Sequence, residues 1–211
     1  AALALTTTGL PLNANGDRVG GAFAWLNGYA VIGGLAVVGF SLVHGAVFLA
    51  LKTDGEVRIA SRRFFAIAAP IALLPLVAWV VAIQLRSGSI ITWALVGIAA
   101  LAAVAAWLSN RRGHEGWAFL TLGMFLLSGA ASIFIACYPV VLPSTINSAF
   151  NLTISNASSS DYTLGVMTIV ACFGLPLVLA YQAWTYWVFR KRISGDHIPE
   201  ARPVRPAVRQ R

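Results

Sequence analysis

Charge is what this sequence has least of. Of 211 residues only 10% are Asp, Glu, Lys or Arg, while 58% are hydrophobic. A soluble domain carries about a quarter of its residues charged, so this chain cannot cover itself for water, and its solvent is largely lipid. Cysteine is nearly missing too. Cys137 and Cys172 are the only two and form no CxxC pair, which excludes a disulfide framework or a zinc knuckle. Acid is absent where it would matter most. All seven acidic residues (Asp17, Asp54, Glu56, Glu115, Asp161, Asp196, Glu200) read as lying in connecting segments or the tail, outside the apolar runs. There is no P-loop, no GxGxxG and no Ser/His/Asp arrangement, one of which a free-standing enzyme would need. No catalytic residue and no metal ligand is assigned. The net charge of +8 would suggest nucleic acid in a soluble protein. Here the bases sit in short segments between uncharged runs, which is a topology signal, and nucleic acid is not expected as a partner.

What is present is apolar length. Five charge-free runs reach the roughly 20 residues a helix needs to cross a bilayer: about 22–51, 64–85, 90–108, 117–142 and 163–189. They are continuously apolar, without the alternation of barrel strands, so the expected fold is all-α, an integral membrane helical bundle. Residues 1–21 are expected to form an outer-side segment holding the end of a missing upstream helix, 22–189 the five-helix membrane domain, and 190–211 a basic cytoplasmic tail. The chain opens Ala1-Ala2-Leu3 without Met or a basic n-region, unlike a signal peptide, and reads as a chain whose beginning lies elsewhere.

The segments between spans sort by charge. Residues 52–63 hold Lys52, Arg58, Arg62 and Arg63; 109–116 hold Arg111 and Arg112; the tail holds seven bases, for thirteen on one side. The opposite side holds only Arg18 and Arg86. The positive-inside rule places the thirteen in the cytoplasm, with the N-terminus outside and the C-terminus inside. Trp107, Trp117, Trp184 and Trp187 then fall at the cytoplasmic interface, and Trp25 and Trp93 at the outer one, as an aromatic belt would have them. The outer loop 143–162 carries Asn151 and Asn156 in N-x-S/T patterns of a kind common by chance in such loops.

Few residues carry chemistry. Of three histidines only His44 lies inside a span, and an ionisable group there is a functional candidate. It is open to three readings: a neutral imidazole donating to a neighbouring helix, a member of a proton or water path, or a ligand. Met124 and Met167 read as packing, the cysteines as two buried thiols, and Asn27 and Gln182 as hydrogen-bonded bridges between helices. Tyr181, Trp184, Tyr186 and Trp187, beside Arg190-Lys191-Arg192, suit interfacial anchoring, with Trp184 and Trp187 candidates for contact with a lipid headgroup or a quinone. Gly33, Gly34, Gly39, Gly129 and the alanine run 99–106 allow close helix approach. Pro70, Pro75 and Pro176 should bend their helices.

Particular strings go further than composition. The segment Tyr181-Gln-Ala-Trp-Thr-Tyr-Trp-Val-Phe-Arg-Lys-Arg-Ile193 closely resembles the last helix of subunit II of cytochrome bd-type quinol oxidases. Tyr138-Pro-Val-Val-Leu-Pro-Ser144 and Asn156-Ala-Ser-Ser-Ser160 resemble that family's outer loop. Leu26-Asn-Gly-Tyr29, His44-Gly-Ala46 and Leu51-Lys-Thr-Asp-Gly-Glu-Val57 resemble its fifth helix and the loop after it. The strings come in the family's order and span nearly the whole chain, but only about the second half of the family pattern. The resemblance implies a four-helix bundle plus one further helix, as a subunit in a bacterial plasma membrane. The complex would oxidise quinol and reduce dioxygen to water, with haem b and haem d in the partner, subunit I, and no cofactor bound by this chain. Subunit I, quinol as the substrate of the complex and membrane lipids are the implied partners. The alternative reading is half of a secondary transporter, with the span containing Pro70 and Pro75 as its broken helix.

Overall fold

A computed structural model of the chain describes residues 2–192. Its long apolar helices are five, each able to cross a membrane by length and composition. A short helix α1 (Ala2–Thr8) precedes them. The first span is α2 (Gly28–Lys52). It starts six residues later than the apolar run suggests, because the Asn27 side chain accepts the Ala30 N–H and caps the helix there. Asn27 is thus a cap, not a bridge between helices.

The second span begins at Gly55, nine residues before the expected start, and runs to Ser87. Asp54 caps it, so Arg58, Arg62 and Arg63 ride on its first turns instead of lying in a loop. It breaks at Leu73 into α3 (Gly55–Ala72) and α4 (Leu74–Ser87). Pro70 has no N–H and leaves the Ala66 carbonyl without its helical donor; the Trp107 indole N–H, from the next span, takes that carbonyl at 3.0 Å. The bend and the contact between spans therefore have one cause.

The third span, α5 (Ile90–Arg111), opens on a Ser89/Thr92 capping box. The fourth, α6 (Glu115–Cys137), ends five residues before the expected boundary at 142. Val140–Leu142 forms strand β1 instead, pairing antiparallel with β2 (Leu152–Thr153). The loop 143–162 is thus partly folded, with a short helix α7 (Ile154–Ala157) capped reciprocally by Thr153 and Asn156. The Asn151 side chain accepts the Ser144 N–H at 2.8 Å, so both asparagines of the N-x-S/T patterns shape the loop. Leu10 bonds to Pro143 and Thr145, fixing the N-terminal segment to that loop at one end of the bundle.

The core has two parts. One gathers Val43, Val47, Phe65, Ala106, Leu122 and Phe125; the other gathers Ala4, Ala36, Trp79, Ile83 and Ile133. In lipid, helices associate by close packing, which small residues permit. Ala99, Ala102 and Ala106 are buried between α5 and its neighbours, Gly33 lies directly against Ala4, and Gly39 lies against the Ala72 carbonyl.

Among the described residues the fifth span, α8 (Asp161–Val188), has no buried residue. Its C-terminal end is tied in by a bond from Lys52 Nζ to the Phe189 carbonyl at 2.9 Å and by Arg192. Cys172, Met167 and Gln182, expected inside the bundle or bridging it, are therefore exposed on this chain, as is Met124 on α6. The architecture is an all-α membrane bundle of four spans with a fifth helix beside it. Of the tail expected at 190–211, only 190–192 fall within the described residues; the rest, with Asp196, His197 and Glu200, lies outside them.

Candidate functional site

The basic end of the bundle is organised around one acid. Glu115, the first residue of α6, is only 4% exposed. Arg58 donates to its Oε1 from Nε at 2.9 Å and from Nη2 at 2.7 Å. Arg62 Nε lies 3.6 Å from the same oxygen, and Arg192 Nη2 lies 3.4 Å from Oε2. Arg62 also donates to the Asn110 carbonyl at 2.7 Å, and Asn110 Nδ2 returns a bond to the Arg62 carbonyl at 3.1 Å. One carboxylate therefore gathers α3, the end of α5, the start of α6 and the segment after α8. Reading Glu115 as a loop residue misses this. The signal was available: Gly113 adopts φ of +82°, a left-handed turn that stops α5 and lets α6 restart two residues on. An acid in the first turn of a helix is also favoured by the helix dipole.

His44 lies on α2 between two rings. Phe40 stacks on it at 5.3 Å and Phe119 tilts over it at 4.8 Å, measured between ring centroids. Its Nδ1 is buried without a hydrogen-bond partner, so that nitrogen does not make the interhelical bond expected of a neutral imidazole. Trp184 and Trp187 are 62% and 61% exposed on α8, with the Arg190 guanidinium 4.7 Å from the Trp187 ring centroid. His44 and the two tryptophans thus occupy separate places, one in the bundle and the others on its unpacked fifth helix.

An apolar groove of about 730 Å³ lies at the break of the second span, lined among others by Pro70, Leu73, Ala100, Ala103, Trp107 and Gly129. No His, Met, Cys or Tyr side chain lines it, and His44 is not on its wall. A haem needs such an axial donor facing the space it fills, so the lining of this groove does not fit one. The arrangement suits packing, charge pairing and contact with apolar chains.

The chain matches the family model for cytochrome bd terminal oxidase subunit II over residues 1–189. It is 33% identical over 192 residues to cytochrome bd ubiquinol oxidase subunit 2 of Bacillus subtilis (strain 168), covering 88% of this chain and 56% of that protein. Over 220 residues it is 28% identical to cytochrome bd-I ubiquinol oxidase subunit 2 of Escherichia coli (strain K12), covering 85% and 56%. With a probable cytochrome oxidase subunit 2 of Haemophilus influenzae (strain ATCC 51907 / DSM 11121 / KW20 / Rd) it shares 24% identity over 216 residues. The chain spans only 56% of the length of these relatives. With the model matched from residue 1 to residue 189 of a five-span helical bundle, the chain belongs to the cytochrome bd terminal oxidase subunit II family.

Proposed function

We propose that this chain is part of a membrane subunit of a quinol-oxidising, dioxygen-reducing terminal oxidase, and that it stabilises a haem-bearing partner, subunit I, without ligating haem itself. The observation that carries this reading is a family match along the whole membrane domain over a bundle whose groove presents no iron ligand. Quinol oxidation and dioxygen reduction then take place in the partner, and this chain supplies helix surface. His44, enclosed by phenylalanines, serves packing, and Trp184 and Trp187 anchor α8 in the interface where lipid or quinone passes. The N-terminal segment and the loop 143–162 face outward, and the basic end faces the cytoplasm of a bacterial cell. Half of a secondary transporter would use the break at Leu73 as a coupling site, yet the groove there carries no charged side chain, and the family speaks against that reading.

The test is a visible absorption spectrum of the complex purified through the full-length subunit. Bands of b- and d-type haem are expected, and a haem-free preparation would overturn the proposal. His44→Ala should leave the haem content of the assembled complex unchanged. Loss of one haem signal from an intact complex would place a ligand in this chain.

A further inference from the structure

The groove at the Leu73 break runs along α5 from Val96 to Trp107. The eleven steps between them correspond to about 16 Å at 1.5 Å each. Its polar atoms are already engaged. Thr7 Oγ1 donates to the Ala4 carbonyl and accepts from the Trp79 indole, and the Trp107 indole donates to the Ala66 carbonyl. An occupant therefore gains no hydrogen bond inside and has to be apolar along this length. The groove is not sealed, since its wall residues Val104 and Leu126 are 56% and 41% exposed. Its volume lies in the range of ordinary ligand sites, about 300–1,000 Å³.

One end of the groove is charged. The Arg111 guanidinium lies 4.6 Å from the centroid of the Trp107 ring, one helical turn beyond the wall, and is exposed. Among the described residues no carboxylate pairs with it. Glu115, the acid held at this end, is occupied by Arg58, Arg62 and Arg192.

We infer that this groove holds one acyl chain of an anionic phospholipid, whose phosphate lies against Arg111 at the basic end of the bundle. A bare apolar slot would take any chain. The free guanidinium above Trp107 selects a lipid with a negative headgroup, as basic pockets between helices do. The inference needs lipid at that end of the bundle, but neither the direction of the chain across the membrane nor haem in the partner.

The purified complex, stripped in detergent and re-offered mixed micelles of phosphatidylglycerol and phosphatidylcholine, tests it by mass spectrometry of the retained lipid. The wild type should keep one phosphatidylglycerol per complex in preference to phosphatidylcholine. Arg111→Gln should keep a lipid but lower that preference about fivefold, the worth of one base beside an anionic headgroup. Ala100→Trp, which fills the groove from an exposed wall position, should lose the lipid. Equal retention of both lipids by the wild type overturns the inference whether or not Ala100→Trp assembles. So does an Ala100→Trp complex that keeps its phospholipid, or one that sheds an isoprenoid quinone or a protein partner instead.

Discussion

At the scale of single residues, Glu115 concentrates more of the fold than any other polar group described. Its burial would be unfavourable for a lone carboxylate, and three guanidiniums offset this by pairing with it. Glu115→Gln keeps the shape and an acceptor but removes the charge, leaving Arg58, Arg62 and Arg192 to repel one another. Hydrogen bonds to charged groups contribute about 1.5–3 kcal/mol. Because the arginine side chains are about a third exposed, water screens part of this, so a loss of about 1–2 kcal/mol is expected. The thermal midpoint of the purified complex measures it. A variant that melts with the wild type would show that the arginines are held by something other than this carboxylate. His44 shows the opposite balance: an ionisable residue conspicuous in the sequence, whose surroundings are phenylalanine rings.

At the scale of elements, the existence of the spans was legible and their ends were not. Hydropathy marks where a helix can lie in lipid, whereas a helix stops where a side-chain oxygen or a proline ends its hydrogen bonding. The run through 22–27 is apolar, but Asn27 sets the start. The run through 138–142 is apolar, but Pro139 follows Tyr138 and the chain leaves as a strand. The capping oxygens of Asp54 and Ser89 were visible as residue types, but only the fold shows which of several polar residues caps. The small-residue faces were legible in the same incomplete way. Glycine spacing on α2 indicates a close contact without saying which neighbour makes it. The structure separates them: a Cβ on Gly39 would collide with the Ala72 backbone of α3, while one on Gly45 would meet nothing. Gly39→Ala should therefore force α2 and α3 apart, at about the 1–3 kcal/mol typical of overpacking. Gly45→Ala should be neutral or slightly stabilising, by up to about 1 kcal/mol of helix propensity. Equal melting shifts for the two would mean that the α2–α3 contact opens in the assembled subunit. Nor could the sequence show that α8, as apolar as the other spans, leaves this bundle unpacked. In the assembled complex, α8 should bury a face against protein outside this chain. Cysteines introduced one at a time at Val166, Met167, Thr168 and Ile169, spaced about 100° apart around the helix and all exposed here, should then label unequally with a lipid-soluble maleimide. Uniform labelling around the helix would leave α8 facing lipid alone.

At the scale of the whole molecule, charge and contacts describe the same two ends. Three segments far apart in sequence, α3 with Arg58 and Arg62, the start of α6 with Glu115, and the stretch after α8 with Arg192, meet at Glu115, so these three bases share one end of the bundle. Leu10 and Ser144 meet at the other end, where Arg86 both bonds to the Tyr29 hydroxyl and lies over its ring. The proposed direction, with the basic end in the cytoplasm, rests on the charge imbalance alone. Arg58 itself would be a poor probe of this, because it pairs with Glu115 and is only 30% exposed. Glu56, exposed in the first turn of α3, and Ser159, exposed just before α8, disturb no contact described here. With Cys137 and Cys172 replaced by Ser, Glu56→Cys and Ser159→Cys should divide cleanly in intact cells. A membrane-impermeant maleimide should label position 159 at once, and position 56 only after the membrane is broken. The reverse pattern would mean that thirteen bases lie outside, and the proposed direction of the chain would fall with it. Labelling of both positions in intact cells would be equally damaging, because it would put the Arg58 and Ser144 ends on the same side, which the three crossings between them (Gly55–Ser87, Ile90–Arg111 and Glu115–Cys137) forbid for one fixed topology.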